Sequence, residues 1–352
     1  MVNAAIAVVR VALSINQSTI GIRAGLGRRR IEIGRQRNSP PAIVTQPTFV
    51  SAVAMTVQSS VPHVRGLDHI VHAARNLDAA RDLYQRLGFT VGARNRHPPA
   101  WGTENHIVQL PGFFVELLAM ADPAGIVPHG PRSFSFGAFN RDFLARSEGL
   151  SMLVLESKDA RGDAEAFRAA GLGDFEAYNF ERPARAPDGA AVKVAFSLAF
   201  ARDDQAQETA FFTCQQHYPE NFWNPAFQDH PNSVERIAAV VLVAENPTDH
   251  HIFLSAFVGE RALTATSSGI SIHTPRGDIQ VMDPVAFAGH FGVDPPDTSG
   301  GARLGAIVFG VRNFSAAVGT LQKAGIEASV RMGRIVVAPR STMGATIIFE
   351  QD

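Results

Sequence analysis

The chain has 352 residues, 45% of them hydrophobic, and a formal net charge of −1: enough for two ordinary domains, with no charge excess that points to nucleic acid or an anionic membrane surface. No stretch approaches the ~18 uninterrupted apolar residues of a transmembrane helix. The single cysteine, Cys214, excludes an internal disulfide and a CxxC metal cluster and fits a reducing cytoplasm. The 29 arginines against three lysines are scattered singly and form no patch.

Residues 1–64 hold seven arginines, one acidic residue (Glu32) and a Ser/Pro/Gln/Thr-rich end, a composition that predicts a disordered extension. Its Arg-rich, acid-poor start resembles an organellar transit peptide, and a secretory signal is a poor match because Arg10 splits the apolar run. An upstream start codon would equally account for the segment, with Met55 the preferred true start.

The next unit reads strand, helix, strand, strand, strand. Leu67–Ala74 is of strand length, Asn76 and Asp78 offer helix caps, and Leu77, Ala80, Tyr84 and Leu87 form the apolar face of the helix that follows. Gly88 stops that helix, Phe89–Ala93 is a predicted extended run, and two more strands are predicted over Asn105–Leu110 and Phe113–Leu118. Residues 121–148 are too long for a turn and too apolar for a free linker, so they are expected to pack as a flap around Ser133–Phe139. The same order then repeats from Leu150–Glu156, with a helix over Ala164–Ala170 and strands over Phe175–Phe180, Ala191–Phe200 and Thr209–His217. A connector containing Trp223 spans 219–235, and third and fourth units fill 236–352, beginning with strands Ile237–Ala244 and Leu304–Val311. Asn76, Asn246 and Asn313 each end an apolar strand and precede a helix, so the repeats are in register.

Two polar residues stand inside the strands of the first unit. His69 lies in the first and Glu116 interrupts FFVELL in the last, where a lone carboxylate would be strongly unfavourable without a partner. This arrangement resembles the vicinal oxygen chelate superfamily, the glyoxalase, bleomycin-resistance and extradiol dioxygenase fold. The resemblance implies an α+β chain of paired βαβββ modules in two tandem domains, 65–218 and 236–352, and falls on His69 and Glu116 as metal ligands. In register, the place of His69 is taken by Met152, Ala239 and Ala306, and that of Glu116 by Cys214, Gln280 and Glu350. Any site therefore belongs to the first pair, and the second is degenerate, covering the first or forming an oligomer contact such as a homodimer. A third ligand is expected from FFTCQQHYP. Alternation from Cys214 points Gln216 inward, whereas a one-residue bulge brings in His217, which ligand chemistry favours.

The resemblance implies a lyase or isomerase that uses Fe, Mn, Ni or Zn, with Glu116 as catalytic base, and the residues Trp101, Asn105, His106 and Phe114 are expected around a small oxygenated substrate in a cytoplasmic protein. A metal-free module that sequesters an antibiotic or similar molecule is the alternative, and its cleft would use the same aromatic residues. An extradiol-type dioxygenase is the further alternative, and requires His69, Glu116 and His217 together.

Overall fold

In the computed structural model, which describes residues 63–185 and 189–351, an Asx-capped helix follows the first strand of the first, second and fourth modules. Strand β1 (Leu67–Ala73) leads to Asn76, whose side chain accepts from the Ala79 amide and starts α1 (Leu77–Arg86). Asp159 and Asn313 do the same for α3 (Ala160–Ala169) and α7 (Phe314–Lys323) through the Gly162 and Ala316 amides. Asn246 instead precedes a short 3₁₀ turn and then α5 (His251–Val258). Strands β2 (Asn95–Arg96), β3 (Thr103–Leu110) and β4 (Phe113–Met120) complete the first module. Between β3 and β4 the chain reverses at Gly112, whose φ of +70° suits glycine.

The flap folds into α2 (Phe136–Arg146), capped by Ser135. The second module consists of β5 (Gly149–Glu156), α3, β6 (Tyr178–Arg185), β7 (Ala191–Ala201) and β8 (Ala210–Gln216). The connector forms a short helix, α4 (Pro219–Phe222). The second half follows with β9 (Val234–Val243), α5, β10 (Thr264–Thr266), β11 (Gly269–His273), β12 (Asp278–Met282), α6 (Pro284–Phe291), β13 (Arg303–Val311), α7, β14 (Ser329–Arg331), β15 (Arg334–Val337) and β16 (Thr346–Gln351).

Two eight-stranded sheets result, ordered β2-β3-β4-β1-β5-β8-β7-β6 and β10-β11-β12-β9-β13-β16-β15-β14. In each, two module-opening strands run antiparallel at the centre (β1 with β5, β9 with β13), flanked in parallel by the closing strands of the modules. The helix-covered faces of both sheets merge into one apolar core that joins Ile70, Leu117 and Leu153 to Val240, Ile307 and Phe349. Polar ties cross the same junction, among them Arg276 with Glu156 and the Leu67 carbonyl, and buried His250 with Asp203 at 2.6 Å.

The opposite faces form two separate clusters of different character. That of the first sheet is rich in aromatic rings, whereas that of the second is made of Ala239, Val241, Ala306, Val308 and Ile348 and is covered by Phe287 and Phe291 of α6, a helix not foreseen from the sequence. The predicted strand over Phe89–Ala93 does not form. Phe89 is drawn into the core, and the Thr90 amide and hydroxyl are taken by His230 and the Asp229 carbonyl instead of a neighbouring strand. The predicted extension over residues 1–64 and the Met55 start lie outside the described residues except at the edge of the fold.

Candidate active site

A bulge in β1 creates the first polar element of the site. Leu67 pairs with Leu155 and His69 with the adjacent Val154, so Asp68 is an extra residue opposite a single step of β5. Asp68 and His69 then meet side by side, with Oδ1 2.5 Å from Nδ1, and both are buried. The His69 ring stacks on Phe114 at 4.2 Å between centroids and meets Phe212 edge-on at 5.5 Å. Gln216 donates to the other Asp68 oxygen at 3.1 Å, bracing the carboxylate from β8.

Glu116 faces the same concavity from β4. Its Oε2 lies 3.9 Å from His69 Nε2, and its Oε1 accepts from the Asn105 amide at 2.6 Å and lies 3.3 Å from His97 Nε2. Burial holds the His97 imidazole below its ordinary range, against the pull of the Glu116 charge, and Thr103 engages its Nδ1 at 2.8 Å. The carboxylate required by the sequence to have a partner thus has three polar neighbours.

These groups open into a cavity of about 50 Å³ between aromatic walls that include Trp101, Phe114, Phe136, Phe180, Phe196 and Phe222. The flap supplies Phe136, stacked on Trp101 at 4.3 Å. Gly137 permits that approach, because a Cβ there would sit 2.1 Å from the Trp101 carbonyl oxygen. A larger cleft of about 830 Å³ lies outside and shares Ile107, Arg182 and Phe222 with the cavity, so these three form the neck between the two.

Of the residues singled out from sequence, His69, Trp101, Asn105, Phe114 and Glu116 line this cavity. His106 does not. It falls between the two lining residues Asn105 and Ile107 on β3, so alternation turns it to the other face, where Nδ1 meets the Gly92 carbonyl at 2.7 Å. His217 does not either. The register of β8 against β7 runs unbroken from Phe212 to Gln216, the bulge that would bring His217 inward is missing, and His217 sits exposed with Nε2 2.7 Å from Ser197 Oγ. Gln216 turns inward as alternation requires. It stands behind His69 on Asp68, outside the lining of the cavity, and its Oε1 is buried with no hydrogen-bond partner among the described residues.

The strand pairing also corrects two assignments of equivalent positions. Val71 lies opposite Glu116, and the matching valines Val154, Val241 and Val308 lie opposite Phe212, Gln280 and Ile348. Phe212, not Cys214, therefore takes the place of Glu116 in the second module, and Ile348, not Glu350, in the fourth. Glu350 lies two residues beyond and pairs with Arg334 at 2.9 Å. Cys214 still reaches the site: with Asp68 and His69 it brings potential ligand atoms within 4.8 Å of one another. Burial, reinforced by the charges of Asp68 and Glu116, pushes its thiol well above the usual range and keeps it protonated. Asp68 and Arg182 were missed from sequence, though an acid directly before a strand histidine was a usable signal for Asp68.

Paired βαβββ modules whose first and last strands carry a histidine and a glutamate into one concavity define the vicinal oxygen chelate fold. Residues 67–257 match the family model described as "Glyoxalase-like domain", and the chain belongs to that family. Among solved structures, a hypothetical protein from Staphylococcus aureus aligns with 81% of this chain and 99% of its own at 11% identity and a TM-score of 0.54, a likeness of fold. A 4-hydroxymandelate synthase mutant from Streptomyces coelicolor (12% identity, TM-score 0.47, 81% of this chain and 91% of that one) is more distant. So is a xylose isomerase-like TIM barrel/4-hydroxyphenylpyruvate dioxygenase fusion protein (13%, 0.46, 83% and 50%). No curated protein matches the chain. Among the described residues no helix is long and apolar enough to cross a membrane.

Proposed function

We propose that the cavity of the first sheet is the active site of a lyase or isomerase that moves a proton on a small oxygenated substrate. The observation that carries this reading is the orientation of His69. A carboxylate only accepts, so the 2.5 Å contact with Asp68 keeps a hydrogen on Nδ1 and leaves Nε2 as the ring nitrogen that faces Glu116, 3.9 Å away. His69 and Glu116 are two proton-carrying groups on the wall of one cavity, which is what abstraction and return of a proton require. The Asn105 amide steadies the Glu116 charge, and aromatic side chains wall the cavity beside the two groups.

The same two residues would hold a divalent ion such as Fe, Mn, Ni or Zn. Donors that share one such ion at about 2.0–2.2 Å lie within about 4.4 Å of each other, and His69 Nε2 and Glu116 Oε2 meet that limit at 3.9 Å. A bound ion would supply a Lewis acid for adjacent substrate oxygens. His97 Nε2, 3.3 Å from Glu116 Oε1, meets the same limit as a further donor, whereas Met152 and Phe212 add no hard donor, so the other coordination positions would fall to water or substrate.

The test is proton NMR in deuterated water with a panel of small hydroxyketones and 2-oxo acids, with metal content read in parallel by elemental mass spectrometry. Deuterium should enter the C–H beside the carbonyl with the wild-type protein, and not with His69→Ala or Glu116→Gln. Tight binding without incorporation across the panel would replace this reading with the metal-free binding module, which the apolar Met152 and Phe212 favour. The dioxygenase reading that required His217 does not hold, since His217 lies on the other face. We place the protein in the cytoplasm, where the free thiol of Cys214 stays reduced.

A further inference from the structure

Arg182 is a cation built into the site with no ion-pair partner among the described residues. On β6 the side chains alternate, so half-buried Phe180 and Arg182 line the cavity while the residues between them are exposed. Those neighbours are satisfied elsewhere: Glu181 pairs with Lys193 at 3.0 Å, and Arg185 donates to the Gly189 carbonyl at 3.1 Å. Among the described residues no carboxylate lies within ion-pair distance of Arg182. Glu116 acts on it only at longer range, and burial pulls its pKa below the ordinary value. A guanidinium still keeps its proton under any ordinary condition, so the neck carries a standing, partly desolvated positive charge. Such a charge is unfavourable until an anion meets it.

We propose that Arg182 is the receptor for a carboxylate on the substrate, and that the site takes a short monocarboxylate whose far end lies toward His69 and Glu116. Three features select this ligand. The planar guanidinium matches a carboxylate with two parallel hydrogen bonds. One cation balances a monoanion, whereas a dianionic phosphate would call for more than one. The cavity, at about 50 Å³, has room for only a few non-hydrogen atoms between Arg182 and the His69 end, and any longer tail would pass into the outer cleft. The position of the reacting carbon rests on the proton-transfer reading, but carboxylate binding by Arg182 does not.

Trp101 in the cavity wall and Trp223 in the outer cleft provide the readout. Intrinsic fluorescence of the full chain is titrated with pyruvate, 2-oxobutyrate, methyl pyruvate and inorganic phosphate. Pyruvate or 2-oxobutyrate should saturate, the methyl ester should bind about 10-fold or more weakly, and Arg182→Leu should weaken the acids to the level of the ester while leaving the ester unchanged. Arg182→Lys should recover part of the loss, and a melting curve for each variant separates lost binding from lost fold. The proposal is overturned if neither acid saturates, if folded Arg182→Leu binds the acids as the wild type does, or if phosphate binds more tightly than either acid. Arg182-dependent binding without deuterium exchange would remove the proton-transfer reading alone, whereas exchange on the ester equal to that on the acid would remove this one.

Discussion

Asp68 Oδ1 and His69 Nδ1 lie 2.5 Å apart, two consecutive residues whose side chains share one side of a strand only because β1 bulges between Leu67 and His69. In a regular strand Asp68 would point to the opposite face, and His69 would have no group to select its tautomer.

Asp68→Asn is expected to lower the affinity for Mn²⁺ or Zn²⁺ by about 10–100-fold without unfolding the protein, because a carboxylate behind a ligating imidazole orients the ring and raises its basicity. Isothermal titration calorimetry on the two proteins measures this. Equal affinities would mean that the bulge has no part in the site.

Glu116→Gln is expected to abolish binding of a divalent ion and leave the melting temperature within a few degrees. The amide oxygen keeps the hydrogen bond from Asn105, while the charge and the second acceptor oxygen are lost. Glu350→Gln should leave metal content unchanged, since Glu350 is occupied by Arg334 and lies outside the first sheet. Metal loss from the Glu350 variant would move the site to the second half.

Gly137→Ala should lower stability by about 1–3 kcal/mol and displace α2, since the added methyl would meet the Trp101 carbonyl oxygen at 2.1 Å. Chemical denaturation gives the first effect and fluorescence of Trp101 the second. An unaltered emission spectrum would show that the flap has another way to seat.

Phe287→Ala should cost about 3–5 kcal/mol, as expected for a fully buried ring, because Phe287 fills the concave face of the second sheet. Metal content and carboxylate binding in the first sheet should not change. Their loss would show that the second concavity takes part in the site.

His72, His97 and His230 all have imidazoles held below their ordinary range of about 6.5, first of all by burial. The unfolded chain therefore takes up protons at these positions before the folded protein does. Their contribution to stability is complete above the unfolded pKa and is lost as pH falls from there toward the lower folded values. Denaturation midpoints should drop between pH 7 and pH 5, with a smaller drop in His72→Gln. A flat profile would contradict the burial of these rings.

The sequence by itself determined the module order and the caps at Asn76 and Asn313, because these depend on local hydrogen bonds and on strand alternation, whereas a shared face for His69 and Glu116 followed only from the family resemblance and is set by the pairing of β1 with β4. Asn105 and Phe114, named from the sequence, line the cavity, whereas His217, favoured there over Gln216 on the strength of a bulge in β8, does not. Tertiary structure decided the rest. Whether a strand bulges depends on the partner it pairs with, so Asp68 turned inward opposite β5 while β8 stayed regular and left His217 outside. Phe89–Ala93 had the pattern of a strand but lost its hydrogen bonds to a connector some 140 residues later. Arg182 was one of 29 scattered arginines and lay beyond the predicted strand Phe175–Phe180, and only the fold of β6 over the concavity set it at the neck of a cavity that Glu116 enters from 66 residues earlier.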